Sequence, residues 1–260
     1  MTRSFEKCYI CNNKATSKEH VPPRCIFPEP KDVKGLNYRN NLITVPSCDK
    51  HNSQKSQDDE FLLITISKVI GSNKLAHLHS FTKVERALSR KRKWFYRESI
   101  LRHPKLLLTK TKSGKEIPII IGQPDFNRLI KCFEQISHGL FFHEYGYSFA
   151  GEIKIIIAFT INTEHNDSES IRLIRKTFEN DVRKLKISGN NPKVFKYQFC
   201  IPDDYGIIAM KMTFYENSEV YVAYKPEGKK VPFDLIFALE NNGFPTTIVK
   251  DGDKFEFNNE

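Results

Sequence analysis

Four residues near the start of the chain have the types and the spacing of a zinc site. Cys8 and Cys11 form a C-x-x-C pair, and Cys48 and His51 form a C-x-x-H pair about 40 residues later. Two intervening residues let one tight turn present both side chains of a pair to the same ion, and four such ligands complete a tetrahedral zinc site. The pattern therefore predicts a structural zinc that closes the intervening loop and stabilises a segment with little apolar content. Cys25 is an alternative ligand, although its apolar neighbours favour a small core residue.

An acid and an imidazole stand side by side inside this loop. Glu19 and His20 directly precede Val21-Pro22-Pro23. An imidazole titrates near neutral pH and suits a general base. Neighbouring residues of a regular strand point to opposite faces, so both side chains can serve one site only at a kink or a strand end. The prolines favour such an end after His20.

These elements together carry a family resemblance. Cys8-x-x-Cys11, Glu19-His20-Val-Pro-Pro, Asn41-Leu-Ile-Thr-Val and Cys48-x-x-His51-Asn52-x-x-Lys55 resemble an HNH endonuclease domain of the zinc-bound type, over about residues 5–60. The resemblance implies the ββα-metal fold, a two-stranded hairpin followed by a helix. It also implies one catalytic divalent ion, magnesium or manganese, beside the structural zinc.

The resemblance assigns a role to five residues. His20 matches the general base that activates water, and Glu19 matches the adjacent metal ligand, where the family more often has Asp. Asn52 matches the second ligand of the catalytic ion through its amide oxygen. Asn41 matches the residue that orients the base, and Lys55, one helical turn after Asn52, is expected to contact phosphate.

The role of His51 depends on how Cys48-x-x-His51-Asn52 is aligned with the last motif of the family. In the preferred alignment His51 is the fourth zinc ligand and Asn52 takes the catalytic place. A competing assignment makes His51 a ligand of the catalytic ion and leaves zinc with three cysteines.

The excess positive charge of the chain is concentrated in one segment. Residues 61–115 hold 14 Lys and Arg against 2 Asp and Glu, a net charge of +12, whereas residues 116–260 carry a net charge of −4. Like charges repel unless a counter-charge is supplied, so a polyanion-binding surface is favoured over a solvated helix face. Aromatic residues at 94–96 interleave with the basic residues, a mixture that suits phosphate contact with base stacking. The predicted nucleic-acid-binding residues are Arg90, Lys91, Arg92, Lys93 and Arg97.

The composition indicates a globular protein with no membrane partner. The densest apolar run, which starts at Ile153, is far shorter than the roughly 18 to 20 residues needed to cross a bilayer. The first residues lack the apolar stretch of a secretory signal, so a cytoplasmic location is expected.

The predicted fold class is α+β, in three parts. A zinc-stapled ββα-metal domain (1–60) is followed by a basic helical connector (61–115) and by an antiparallel-sheet α+β domain of unknown role (116–260). In the third part we predict a helix from Pro124 to His143, on whose surface Glu134 and His138 are expected to pair. We also predict a strand over 153–161, an amphipathic helix over 168–185, and three antiparallel strands over 194–201, 206–215 and 220–224.

The sequence therefore predicts a metal-dependent HNH endonuclease that cuts DNA, with nothing in the residues to exclude RNA. One alternative is a zinc-dependent nucleic-acid-binding module without catalysis, which Glu19 in place of Asp favours. Another is a nuclease effector that needs a partner or a signal, as in bacterial defence or a mobile element. The C-terminal domain is the candidate surface for a protein partner or for homo-oligomerisation.

Overall fold

The N-terminal part contains a small hairpin followed by a short helix. The computed structural model describes residues 7–53, 56–90, 102–110, 114–159, 185–229, 246–250 and 253–257. Strand β1 (Ser17–His20) pairs antiparallel with β2 (Thr44–Ser47), in a register that places Glu19 opposite Val45. Helix α1 (Asp49–Ser53) follows β2 directly. β1 ends at His20, before a cis Val21–Pro22 peptide bond, which confirms the predicted strand end.

Three helices follow, mostly within the first half of the predicted basic helical connector. They are α2 (Ser56–Ser67), α3 (Lys74–His79) and α4 (Glu85–Arg90), and a π-helical turn over Ser80–Val84 joins the last two. Asn73 caps α3, because its side chain accepts a hydrogen bond from the Ala76 amide at 3.0 Å.

A two-stranded hairpin lies across the predicted boundary at residue 115. Strand β3 (Arg102–Lys110) pairs antiparallel with β4 (Glu116–Gln123), and Gly114 between them has φ +81°. The boundaries of the three predicted parts stay predictions.

The longest described helix, α5 (Phe126–Tyr145), confirms the helix predicted from Pro124 to His143. The Asp125 side chain caps its start by accepting from the Arg128 amide at 3.1 Å, and Gly146 with φ +80° ends it in the left-handed conformation that favours glycine. Its buried residues recur at helical spacing and include Leu129, Phe133, Ile136 and Leu140. This apolar face therefore enters the core.

A five-stranded antiparallel sheet forms the C-terminal part, with strand order β5-β9-β8-β7-β6. Alternate residues of β7, β8 and β9 are buried, as in a sheet with one face against a core. These three strands are the three that the alternating pattern predicts. The strands are β5 (Gly151–Ile157), β6 (Ser188–Asn191), β7 (Phe195–Phe199), β8 (Ile208–Phe214) and β9 (Ser218–Pro226).

Two predicted elements lie only partly within the described residues. The strand predicted over 153–161 is present as β5 but ends at Ile157, and the helix predicted over 168–185 lies outside the described residues except for its last position. A last hairpin pairs β10 (Thr246–Lys250) with β11 (Asp253–Phe257). Among the described helices, none combines the length and the apolar character that crossing a membrane requires.

The N-terminal segment and the sheet share one core. A single cluster of buried residues includes Tyr9 and Phe61 from the first part of the chain and Phe133 and Tyr224 from α5 and β9. Gly139 of α5 lies directly against the N-terminal segment, because a Cβ there would lie 2.6 Å from a methyl carbon of Val21. The residue that follows His20 is thus held directly against α5.

A buried polar contact also joins these parts. The Tyr215 hydroxyl donates to the carbonyl of Ile26 at 2.6 Å and lies 2.8 Å from Nδ1 of His79. Since the one hydroxyl proton is donated to Ile26, His79 must donate from Nδ1. Burial lowers the pKa of His79 to about 3, so the ring makes this contact as a neutral imidazole.

Candidate metal centre and active site

The two predicted ligand pairs meet at one point. Nδ1 of His51 lies 3.4 Å from Sγ of Cys8, 3.5 Å from Sγ of Cys11 and 3.3 Å from Sγ of Cys48, and the Cys11 and Cys48 sulfurs are 3.8 Å apart. All four ligand atoms lie within 4.8 Å of one another. Zn–S bonds of about 2.3 Å and Zn–N bonds of about 2.0–2.1 Å give a tetrahedron with S···S edges of about 3.8 Å and S···N edges of about 3.5 Å. The Cys3His cluster therefore fits zinc.

Local backbone geometry explains how each pair presents its ligands. The amide of Cys8 donates to the carbonyl of Asn13 at 2.9 Å, which closes the turn that carries the first pair. The amides of His51 and Asn52 both donate to the carbonyl of Cys48 at 3.0 Å, so the second pair spans the first turn of α1. Each pair is thus set by a turn of a few residues.

The backbone around the second pair also favours the thiolate form that binds metal. Burial acts to raise the pKa of the Cys48 thiol, but hydrogen bonds from the backbone of His51 and from the other cysteines outweigh it and hold that pKa below its ordinary value. A lowered thiol pKa reduces the free energy needed to deprotonate the ligand before it binds zinc.

The structure places His51 with the three cysteines. Its Nδ1 completes the tetrad, as the preferred register predicts, whereas the competing assignment would have directed it to a second ion. Cys25 lies apart from this cluster: its Sγ donates to the carbonyl of Asp59 at 3.3 Å, and burial raises its pKa to about 12. Cys25 thus has the surroundings of a core residue.

His20 ends β1 with one ring nitrogen turned inward. Its Nδ1 is buried and has no hydrogen-bond partner among the described residues. Burial, followed by the positive charge of Arg24, lowers its pKa; Arg39 acts in the same direction, and the Ile43 carbonyl and Glu19 oppose them. At neutral pH the His20 imidazole is therefore uncharged, the state that a general base requires.

The Glu19 side chain is buried. The residue is 8% exposed, and its Oε2 accepts a hydrogen bond from the Tyr9 hydroxyl at 3.1 Å. Ser17 lies two residues earlier on the same face of β1. The amide nitrogen of Asn52 donates to the Ser17 hydroxyl at 2.7 Å, so α1 contacts the face of β1 that carries Glu19. Glu19 and Asn52 therefore lie on one side of the strand, and their oxygens are of the kind that binds magnesium or manganese.

Asn41 lies in the loop that leads into β2. It is exposed and has φ +51°, a left-handed conformation that Asn tolerates better than most residues. Within the described part of the chain its backbone carbonyl accepts a hydrogen bond from the Asn190 side chain at 2.6 Å. The predicted contact between its amide and the base stays a prediction.

Several predicted site residues lie outside the described residues. Lys55, Lys91, Arg92, Lys93 and Arg97 fall in the gaps between the described ranges, and Arg90 is described only as the backbone end of α4. The basic surface therefore also stays a prediction.

Other residues near the site were not singled out by the sequence. Ser17 and Arg24 are near neighbours in the sequence, whereas Tyr9 is brought to Glu19 by the fold: its amide donates to the carbonyl of Pro46 in β2, and its hydroxyl donates to Glu19. His138 is half-buried instead of lying fully on the helix surface as expected: its Nδ1 is buried without a partner in the described residues, and its ring centroid lies 6.5 Å from that of Phe149. Burial and the nearby His51 lower its pKa.

Comparisons with protein-family models, with curated proteins and with solved structures find no match to this chain. The candidate site therefore depends on the quoted motifs and on the contacts described above.

Proposed function

We propose that this chain is a metal-dependent endonuclease of the HNH type that hydrolyses phosphodiester bonds in DNA. The observation that carries the proposal is the clustering around one short hairpin. His20 ends β1, and Asn52 bridges α1 to β1 on the side of Glu19. The Cys3His cluster joins the N-terminal turn to the start of the same helix. The order hairpin then helix supports the ββα-metal topology that the motifs imply.

In this proposal His20 removes a proton from the attacking water. Its lowered pKa keeps the imidazole neutral and ready to accept that proton. The positive charges of Arg24 and Arg39, which act on His20, also favour a phosphate group beside it. The reaction breaks one P–O bond as the water oxygen forms another.

Glu19 and Asn52 would hold the catalytic divalent ion through their oxygens. Magnesium or manganese in that place supplies positive charge that stabilises the reacting phosphate. In the structure the Glu19 carboxylate accepts from Tyr9 and the Asn52 amide nitrogen donates to Ser17. Because Asn52 contacts Ser17 through its amide nitrogen, its amide oxygen is the atom that would bind the ion.

One observation favours a second candidate, a zinc-dependent nucleic-acid-binding module without catalysis. Glu19 stands where the family more often has Asp, and it is buried against Tyr9. A carboxylate held there for structural reasons would leave the hairpin able to bind DNA but not to cut it. A nuclease that needs a partner or a signal would give the same result in isolation until its activator is supplied.

Nicking of supercoiled plasmid tests the proposal. Zinc-loaded protein is incubated with magnesium, with manganese or with EDTA, and His20→Ala is the matched variant. We expect cutting by the wild type only with added metal, and loss of cutting in His20→Ala with zinc content and DNA affinity unchanged. Cutting by His20→Ala would refute the assignment of the base. DNA binding without cutting by either protein would favour the binding module or an enzyme that awaits its activator.

A further inference from the structure

Two asparagines of the C-terminal sheet contact the loop that carries Asn41. The side-chain amide of Asn190 donates to the carbonyl of Asn41 at 2.6 Å, and that of Asn191 donates to the carbonyl of Asn40 at 3.2 Å. The donors and acceptors are 149 and 151 residues apart in the chain. Two consecutive carbonyls of the loop are thus fixed by two consecutive side chains of strand β6.

The shape of β6 makes this double contact feasible. Neighbouring side chains of a regular strand point to opposite faces and could not both reach one loop. The pairing of β6 with β7 shifts register between Ser188 and Asn191, and Gly189 between them has φ +112°. A Cβ at Gly189 would lie 2.8 Å from the carbonyl oxygen of Phe195, so glycine is required there. Irregularities of this kind redirect side chains, here toward the loop.

The clamped loop leads directly to the end of β1. Two residues after Asn41, the carbonyl of Ile43 accepts the amide of Val21 at 3.0 Å, immediately beyond His20. A small crevice that opens to solvent lies between this loop and β6; Val21, Ile43 and Phe195 are among the residues that line it. Leu42 and Ile43 pack against the core, and the two asparagine amides hold the carbonyls of the two residues just before them.

We propose that Asn190 and Asn191 are positioning residues that hold the Asn40–Asn41 loop in place beside His20. This inference rests on the proposed nuclease function for its catalytic consequence. It gives the C-terminal sheet a role: edge strand β6 sets the conformation of the loop that completes the active site, so the sheet and the hairpin act as one unit.

The test compares four variants with the wild type. Asn190→Ala and Asn191→Ala remove one donor each. Asn190→Asp keeps the size of the side chain but turns an acceptor toward the Asn41 carbonyl. Asn217→Ala is the matched control, because the Asn217 amide also donates to a distant backbone carbonyl, that of Gly71, away from the loop.

Two measurements are made on each variant. Hydrogen exchange is followed in peptides that cover 17–22 and 37–43, where the Val21 and Arg39 amides report on the loop. Plasmid cleavage is measured over a range of DNA concentrations to separate kcat from KM. We expect the Ala variants to exchange faster in both peptides and to lose about three- to tenfold in kcat, with KM changed less than twofold. Asn190→Asp should lose at least as much as Asn190→Ala, and Asn217→Ala should match the wild type in both measurements.

Unchanged exchange in both Ala variants would overturn the proposal, and so would a loss confined to KM, which would indicate DNA contacts instead. An equal loss in Asn217→Ala would show that general destabilisation is responsible. If the wild type does not cut DNA, the proposed function fails, and the exchange measurement alone still decides whether the asparagines hold the loop.

Discussion

Substitution of His51 separates the two assignments of this residue. In the structure its Nδ1 lies 3.3 to 3.5 Å from three cysteine sulfurs. Nδ1 is the ring nitrogen nearer to the backbone, and the longer Zn–S bond, about 2.3 Å against about 2.0–2.1 Å, compensates for the shorter side chain of cysteine. His51→Cys should therefore bind zinc through four thiolates, whereas His51→Ala loses one of four ligands.

The size of the effect follows from the coupling between zinc and folding. Loss of a partner that only supports a ligand weakens metal binding by about 10- to 100-fold, and loss of a direct ligand should exceed this. We expect His51→Ala to bind zinc more than about 100-fold more weakly, which is more than about 2.7 kcal/mol. The same loss should lower the melting temperature, because zinc closes the loop between the two ligand pairs.

The assay combines zinc affinity, measured by competition with a chromogenic chelator under reducing conditions, with melting and plasmid nicking. His51→Cys should retain zinc, the wild-type melting temperature and nicking. Cys25→Ser is the control, since Cys25 lies outside the tetrad, and it should leave zinc affinity unchanged. If His51→Ala kept full zinc affinity while both His51 variants failed to cut, His51 would belong to the catalytic ion and the four-ligand reasoning would be refuted.

Three further predictions concern packing, pH and charge. Gly139→Ala gains about 1 kcal/mol of helix propensity but places a Cβ 2.6 Å from Val21, an overlap that costs about 1–3 kcal/mol. We expect a net fall in melting temperature and in nicking, which the double variant with Val21→Ala should relieve; additive losses in that double-mutant cycle would contradict the contact. Because the pKa of His20 is lowered, the acidic limb of the pH–rate profile for cleavage should have its midpoint below the ordinary 6.5. Arg24→Gln should move that midpoint upward, and an unmoved midpoint would argue against His20 as the base or Arg24 as its neighbour. Charge reversal at residues 90–92 should weaken DNA binding and reduce its salt dependence, measured by fluorescence anisotropy at several salt concentrations; an unchanged slope would mean that these residues form a solvated face.

The sequence determined the parts of the site that depend on neighbouring residues. A C-x-x-C or C-x-x-H spacing sets the separation of two ligands within one turn, so both pairs of the tetrad were evident from the spacing. The same local logic applies to the end of β1 before two prolines and to α5, where a 3.6-residue period marks the buried face. Strands β7 to β9 were evident because alternation along a strand follows directly from the pleat.

Only the tertiary structure decided which distant groups meet. Nothing local to Glu19 shows that its carboxylate accepts from Tyr9, and nothing local to Asn190 shows that it holds a loop 149 residues earlier. His138 sits in a clear helical pattern, yet the burial of its Nδ1 depends on what the neighbouring segments place against that face of α5. Spacing fixes geometry within a turn or a strand, where few backbone angles intervene. Contacts between segments depend on the whole intervening chain and on how every apolar face is buried, and so they become visible only in the folded molecule.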